Sequence, residues 1–172
     1  MAIILNGSGS ITGLTDGAGI AAAALSGQVP DANAPSGSVI QVVQATATGS
    51  TSTSGGTYIA TNLAVSITPS SASSKILVFG QMFVVGNASI SQPNITLYRS
   101  GTELIGSYGL GNFYSVSGGY MESIAAFSFL DSPATTASRT YTIYGRNPSG
   151  SGIAYFGDNN RVSVITAMEI AA

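Results

Sequence analysis

The chain has 172 residues, enough for one medium-sized domain or one domain with a short extra segment. Only 7% of them are charged and 44% are apolar, against about 25% charged in an average soluble domain, which excludes an ordinary charge-covered monomer and a charge-rich disordered chain alike. The net charge is −2, with five basic residues and neither cysteine nor histidine, so a basic stripe for phosphates, disulfides, thiolate metal sites and imidazole catalysis are all excluded.

Residues 1–37 differ from the rest. They hold no aromatic residue and two charges, Asp16 and Asp31. Short apolar pairs broken by glycine, Ile3-Ile4-Leu5 and Ile11-Thr12-Gly13-Leu14, point to brief strands and tight turns. Gly19 to Ser26, with four consecutive alanines, supports one or two helical turns, and Val29 to Gly37 reads as a linker. The segment cannot bury a core alone, which leaves two readings: a flexible tail, or an anchor ordered by contact with copies of itself or a larger particle. Met1–Gly7 has a short apolar run and no basic residues, so no signal peptide is expected. No stretch approaches the ~18 apolar residues of a membrane span, and no membrane insertion is expected.

From Ser38 onward the pattern is β. Val39 to Val43 is a strand, and Thr48 to Gly56 reads as a Gly/Ser/Thr loop. Ile59, Thr61, Leu63, Val65 and Ile67 alternate with smaller residues, a period of two with one buried face. Pro69 to Ser74 is a turn. Lys75 to Val85 is apolar on both faces: Ile76, Val78, Met82 and Val84 on one, Leu77, Phe79, Phe83 and Val85 on the other. Both must be covered. One meets the core; the second is covered either by the chain's own loops or by a neighbouring subunit, which makes Leu77, Phe79, Phe83 and Val85 candidate interface residues.

Pro93 to Ile105 reads as a hairpin turning at Ser100-Gly101. A long Gly-rich loop spans 106–119, a strand Tyr120 to Leu130, and a turn Asp131 to Thr136. Arg139 to Arg146 is a strand with Tyr141 and Ile143 on one side. Asn147 to Asn160 reads as a second exposed loop with a short strand at Ile153 to Phe156. Arg161 to Ile170 closes the chain, with Val162, Val164, Thr166, Met168 and Ile170 lining one face. Eight or nine short strands without an amphipathic helix between them predict an all-β, antiparallel two-sheet sandwich, jelly-roll-like, over 38–172.

The chemistry of catalysis is sparse. Any carboxylate pair must come from seven acids. Of these, Glu103 and Asp131 sit at strand ends, where carboxylates are normally solvated, and Glu122 and Glu169 sit on strands, where they can pair with arginines. Asp158-Asn159-Asn160 is too poor in acids for calcium and reads as a turn. No catalytic residue, cofactor or metal site is expected. The loop aromatics Tyr108, Phe113, Tyr114, Tyr155 and Phe156 have two readings: contacts for a surface glycan or protein, since loops on a rigid sandwich carry binding residues, or packing beneath their own loops.

Several segments resemble short tail-fibre and virion-appendage proteins of bacteriophages, particularly of aquatic and cyanobacterial phages. They are Met1-Ala2-Ile3-Ile4-Leu5-Asn6-Gly7-Ser8-Gly9-Ser10-Ile11 and Ser36-Gly37-Ser38-Val39-Ile40-Gln41-Val42-Val43-Gln44, then Leu63 to Ser70 with Ser74-Lys75-Ile76-Leu77-Val78. Thr96-Leu97-Tyr98-Arg99, Asp131-Ser132-Pro133 and Val164 to Ile170 complete the set. The resemblance covers most of residues 36–172 in order. It implies a β-sandwich head, homotrimeric assembly, attachment to other virion proteins through the N-terminal segment, and no catalytic residues. Three readings compete: a trimeric fibre or spike contacting the host surface, a purely architectural capsid decoration or baseplate cement subunit, and a lectin-like carbohydrate-binding domain. No nucleic-acid partner is expected.

Overall fold

The structure, a computed structural model, describes residues 34–87, 90–106, 108–114 and 119–172. The expected anchor at 1–37, with its short strands and alanine turn, lies outside the described residues except for 34–37.

The described residues form strands and no helix. In chain order the strands are β1 (Val39–Thr53), β2 (Ile59–Ile67), β3 (Lys75–Asn87), β4 (Asn94–Arg99), β5 (Thr102–Glu103), β6 (Gly111–Asn112), β7 (Tyr120–Asp131), β8 (Arg139–Arg146) and β9 (Ala154–Ile170). One sheet has the order β1-β9-β3-β7 and the other β2-β8-β4-β5, with β6 beside β4; every pairing is antiparallel. Setting β6 aside, the pairs β1·β9, β2·β8, β3·β7 and β4·β5 nest inside one another, first strand with last and so inward. Rolling that long double ribbon brings β9 beside β3 and β8 beside β4. This is the strand order of a jelly roll, two Greek keys closed into a sandwich.

The core lies between the sheets. Leu63, Val65 and Ile67 of β2, Ile95 and Leu97 of β4, and Tyr141 and Ile143 of β8 meet Ile76, Val78, Met82 and Val84 of β3. β9 contributes Phe156, Ile165 and Ala167. Each fully buried large aliphatic or aromatic side chain contributes about 1.5–3 kcal/mol. The alternation in β2 and the inner face of β3 therefore stand as the sequence pattern predicts. Two polar ties reinforce the packing. Arg99 Nη1 donates to both oxygens of Asp131 at 2.9 and 2.8 Å, and the Tyr141 hydroxyl donates to the same carboxylate at 2.6 Å, joining β7 of one sheet to β4 and β8 of the other. Glu169, fully buried, accepts from Gln41 and Ser70 and so clamps β1 to the turn between β2 and β3.

Three expectations are corrected. The loop expected from Thr48 is strand as far as Thr53: Thr51 and Thr53 are β-branched and find backbone partners opposite Phe156 and Ala154. β9 is continuous through 157–160, where a loop and turn were expected; Gly157 takes a φ of 87°, and a Cβ there would strike the Gly49 carbonyl, so this close crossing of β1 and β9 requires glycine. Val162, Val164, Thr166, Met168 and Ile170 line one face of β9 as the pattern predicts, and that face points away from the core, while Ser163, Ile165, Ala167 and Glu169 point inward. The reason is register: Met168 and Thr166 lie opposite Leu77 and Phe79, on the outer side of β3. Finally, Asp131 is buried in its Arg99 and Tyr141 contacts rather than solvated, and Glu169 is held by amide and hydroxyl groups rather than by arginine.

Candidate functional site

The middle of the outer face of the β1-β9-β3-β7 sheet carries no charge, with Lys75 at one end and Glu122 and Arg161 at the other. Strand register places Val42 opposite Met168, Met168 opposite Leu77, and Leu77 opposite Leu130, an apolar row across all four strands. The next rows are Gln44, Thr166, Phe79 and Ser128, then Thr46, Val164, Gln81 and Ala126. None of these residues is charged. Val42 and Leu130 remain 55% and 50% exposed, and Ile124, farther along β7, is 60% exposed. Within these rows the apolar side chains Val42, Met168, Leu77, Leu130, Phe79, Val164 and Ala126 are interspersed with the neutral polar Gln44, Thr166, Ser128, Thr46 and Gln81. β7 has no neighbour on its far side among the described residues, so a twelve-residue strand edge borders this face.

Of the candidate interface residues, Leu77 and Phe79 lie on this face, half-buried. Phe83 and Val85 do not offer free surface. Residues 157–163 of β9 leave the ladder between the pairs Val84↔Phe156 and Gln81↔Val164, making an outward excursion. From it the Arg161 guanidinium sits 3.9 Å from the centre of the Phe83 ring, and Val85 is 6% exposed. The chain itself thus covers the far end of the second face of β3.

The loop aromatics separate. Tyr108 and Tyr114 are 79% and 58% exposed. Phe113 packs half-buried against the core, and Phe156 is fully buried with its ring over Gly145, so Phe156 is a core residue and not a surface contact. Tyr155 lies half-buried on β9, its hydroxyl accepting from Asn87 Nδ2 at 3.3 Å. Tyr108 belongs to the loop beside β4, on the other sheet, where its carbonyl accepts from Asn94 Nδ2 at 2.9 Å.

A ring ladder that sequence reading missed lies on the second sheet. Tyr98 and Tyr144 stack with centroids 3.8 Å apart and planes 19° apart; Tyr58 meets Tyr98 edge-on at 6.3 Å; Arg146 lies 4.3 Å over the Tyr58 ring. The Tyr58 hydroxyl donates to the buried Asn94 side chain. Burial pushes the Tyr58 phenol above its usual range although Arg146 opposes this, and burial likewise raises Tyr98. Tyr98 and Tyr144 each spend one face on the other and Tyr58 one face on Arg146, which makes the ladder a brace for the sheet. The signal available in the sequence was the outward phase of Tyr98 and Tyr144, each one residue out of step with the buried Leu97 and Ile143.

Among the described residues no group of three or more carboxylates could hold a metal ion. Arg161 links Glu122 at 3.4 Å and Asp158 at 3.6 Å in exposed pairs worth little to stability.

Fold and site together define the class as a jelly-roll β-sandwich with one outer sheet face whose central rows carry no charge. No protein-family model and no curated protein sequence matches the chain. Among solved structures, the infectious bursal disease virus VP2 subviral particle is 16% identical, with a TM-score of 0.37, matching 77% of this chain and 37% of that one. The infectious bursal disease virus Gx strain structure is 15% identical, with a TM-score of 0.29, over 78% of this chain and 39% of that one. The chain spans less than two fifths of either, and likeness at this level carries no argument; the fold assignment rests on strand order.

Proposed function

We propose that the chain is a non-enzymatic structural subunit of a virion, a tail fibre or spike that assembles as a homotrimer and contacts the host surface. The observation that carries this reading is the apolar row Val42, Met168, Leu77 and Leu130, flanked on one side by two rows without charge and bordered by the open edge of β7. A face and edge of this kind invite pairing with another chain, and soluble monomers normally blunt them with charge. The low charge of the whole chain and its segment-by-segment resemblance to phage appendage proteins support the same reading. The absence of histidine and cysteine supports a role without catalysis. Attachment to other virion proteins belongs, in this reading, to residues 1–37.

Light scattering after gel filtration tests the assembly. A mass of three 17.2 kDa chains is expected. A stable monomer at working concentrations refutes it. Binding of the purified protein to host cells supports the fibre or spike role, whereas binding to undecorated capsids alone would replace it with an architectural one.

A further inference from the structure

Where β9 swells out of the ladder it makes one wall of a cleft. Thr48 alone separates the partners of Asp158 and Ser163 on β1, so residues 159–162 have no matching residues there and stand exposed. Facing this arm, at the same end of the sheet, Val85 lies opposite Tyr155 and Glu122, and Asn87 opposite Tyr120. The space between measures about 410 Å³ and is lined by Val85, Asn87, Tyr120, Tyr155, Asp158 and Asn160, among others. That is within the ordinary size range of small-molecule sites.

We infer that this cleft binds a neutral saccharide, a pyranose unit of a surface glycan. A pyranose presents an apolar C–H face ringed by hydroxyls that both donate and accept. The cleft offers the matching set: an apolar residue in Val85, two tyrosine rings, amides that donate and accept, and one carboxylate that accepts. Tyr120 is 68% exposed, which leaves its ring free to stack. The polar groups are held in place. Asp158 Oδ1 accepts from the Asn160 backbone N–H at 2.6 Å, its other oxygen faces Arg161, and Asn87 is bonded to the Tyr155 hydroxyl. No lysine or arginine lines the cleft, and Arg161 is shared between its one lining carboxylate, Asp158, and Glu122 beside Tyr120, so the charge favours a neutral ligand over an anionic one. The ring ladder of the second sheet offers less, because Tyr98 and Tyr144 are stacked on each other and Arg146 lies over the Tyr58 ring.

This inference rests on the host-contact part of the proposed function but not on the trimer. The test titrates the full chain, followed by its amide NMR spectrum, with maltotriose, cellotriose, chitotriose and a galactose trisaccharide, and with sialyllactose as the anionic probe. At least one neutral probe should bind at millimolar concentration or below, shifting the amides of 155–160. Tyr120→Ala should weaken it about tenfold, the loss of one aromatic contact, with the remaining spectrum unchanged. Asn160→Ala, on the exposed arm, provides a second variant. No binding by any neutral probe, binding that both variants leave intact, or binding of sialyllactose alone overturns the inference. A trimer that binds none of the neutral probes sinks the inference and leaves the assembly standing; a monomer that binds one does the reverse.

Discussion

Replacing Glu169 with glutamine isolates one buried tie of this fold. The carboxylate is fully buried and receives the Ser70 backbone N–H and hydroxyl at Oε1, both at 2.8 Å, and Gln41 Nε2 at Oε2, at 2.5 Å. Burial alone would raise its pKa, but the hydrogen bonds from Gln41, Ser74 and Ser70 outweigh it and hold the carboxyl below its ordinary 4.5. Glutamine keeps an acceptor toward Ser70 and turns an amide donor against Gln41. Gln41 cannot reverse its own amide without loss, because Nε2 also donates to the Thr68 carbonyl at 2.7 Å. One charge-assisted bond is therefore lost, about 1.5–3 kcal/mol. With an m-value of about 2 kcal/mol per molar, the urea midpoint at neutral pH should fall by about 1 M, at fixed protein concentration. The pH dependence gives the sharper check. A carboxyl whose folded pKa is depressed stabilises fully above its unfolded value and loses that contribution as pH falls through the folded one. The gap between Glu169→Gln and the parent should thus close in acid, where the parent's carboxyl also carries a proton. Equal stability at neutral pH, or a gap that stays constant into acid, refutes the reasoning.

Other perturbations test other parts. Val42→Asp and Leu130→Asp alter half-exposed positions, so each should shift stability by only about 0.5 kcal/mol, while the doubly changed chain elutes as a monomer. Tyr141→Phe removes the 2.6 Å bond to Asp131 and should cost about 1–2 kcal/mol by denaturant titration. Burial, followed by the bond to Asp131, raises the Tyr141 phenol far above its usual range, so alkaline absorbance titration should leave one tyrosine silent until the protein unfolds. Gly145→Ala would place a methyl 2.5 Å from ring carbons of the buried Phe156; overpacking of about 1–3 kcal/mol should appear as a lower melting temperature.

The all-β class, the strand alternation of β2 and the two apolar faces of β3 were legible because they are local. A period of two over Ile59 to Ile67 is written in consecutive residues, and the inner set Ile76, Val78, Met82 and Val84 is buried as that pattern requires. β9 was misread for the opposite reason. Gly157, Asp158 and Asn159 carry the composition of a turn, yet their placement is decided by strands more than seventy residues away: Gly49 closes on Gly157, and β3 sets which face of β9 turns inward. Phe156 looked like a loop aromatic until the ladder placed it opposite Val84, inside the sandwich.

The candidate sites divide along the same line. Poverty of charge, the lack of histidine and cysteine and the apolar second face of β3 are written in the sequence and need no tertiary contact to be seen. The row through Val42, Met168, Leu77 and Leu130, the Tyr58–Tyr98–Tyr144 ladder and the cleft between Tyr120 and Asp158 each gather residues from separate strands. Their meeting depends on nested pairing and register. Those are set by which distant segments share a core, and no stretch of neighbouring residues encodes that.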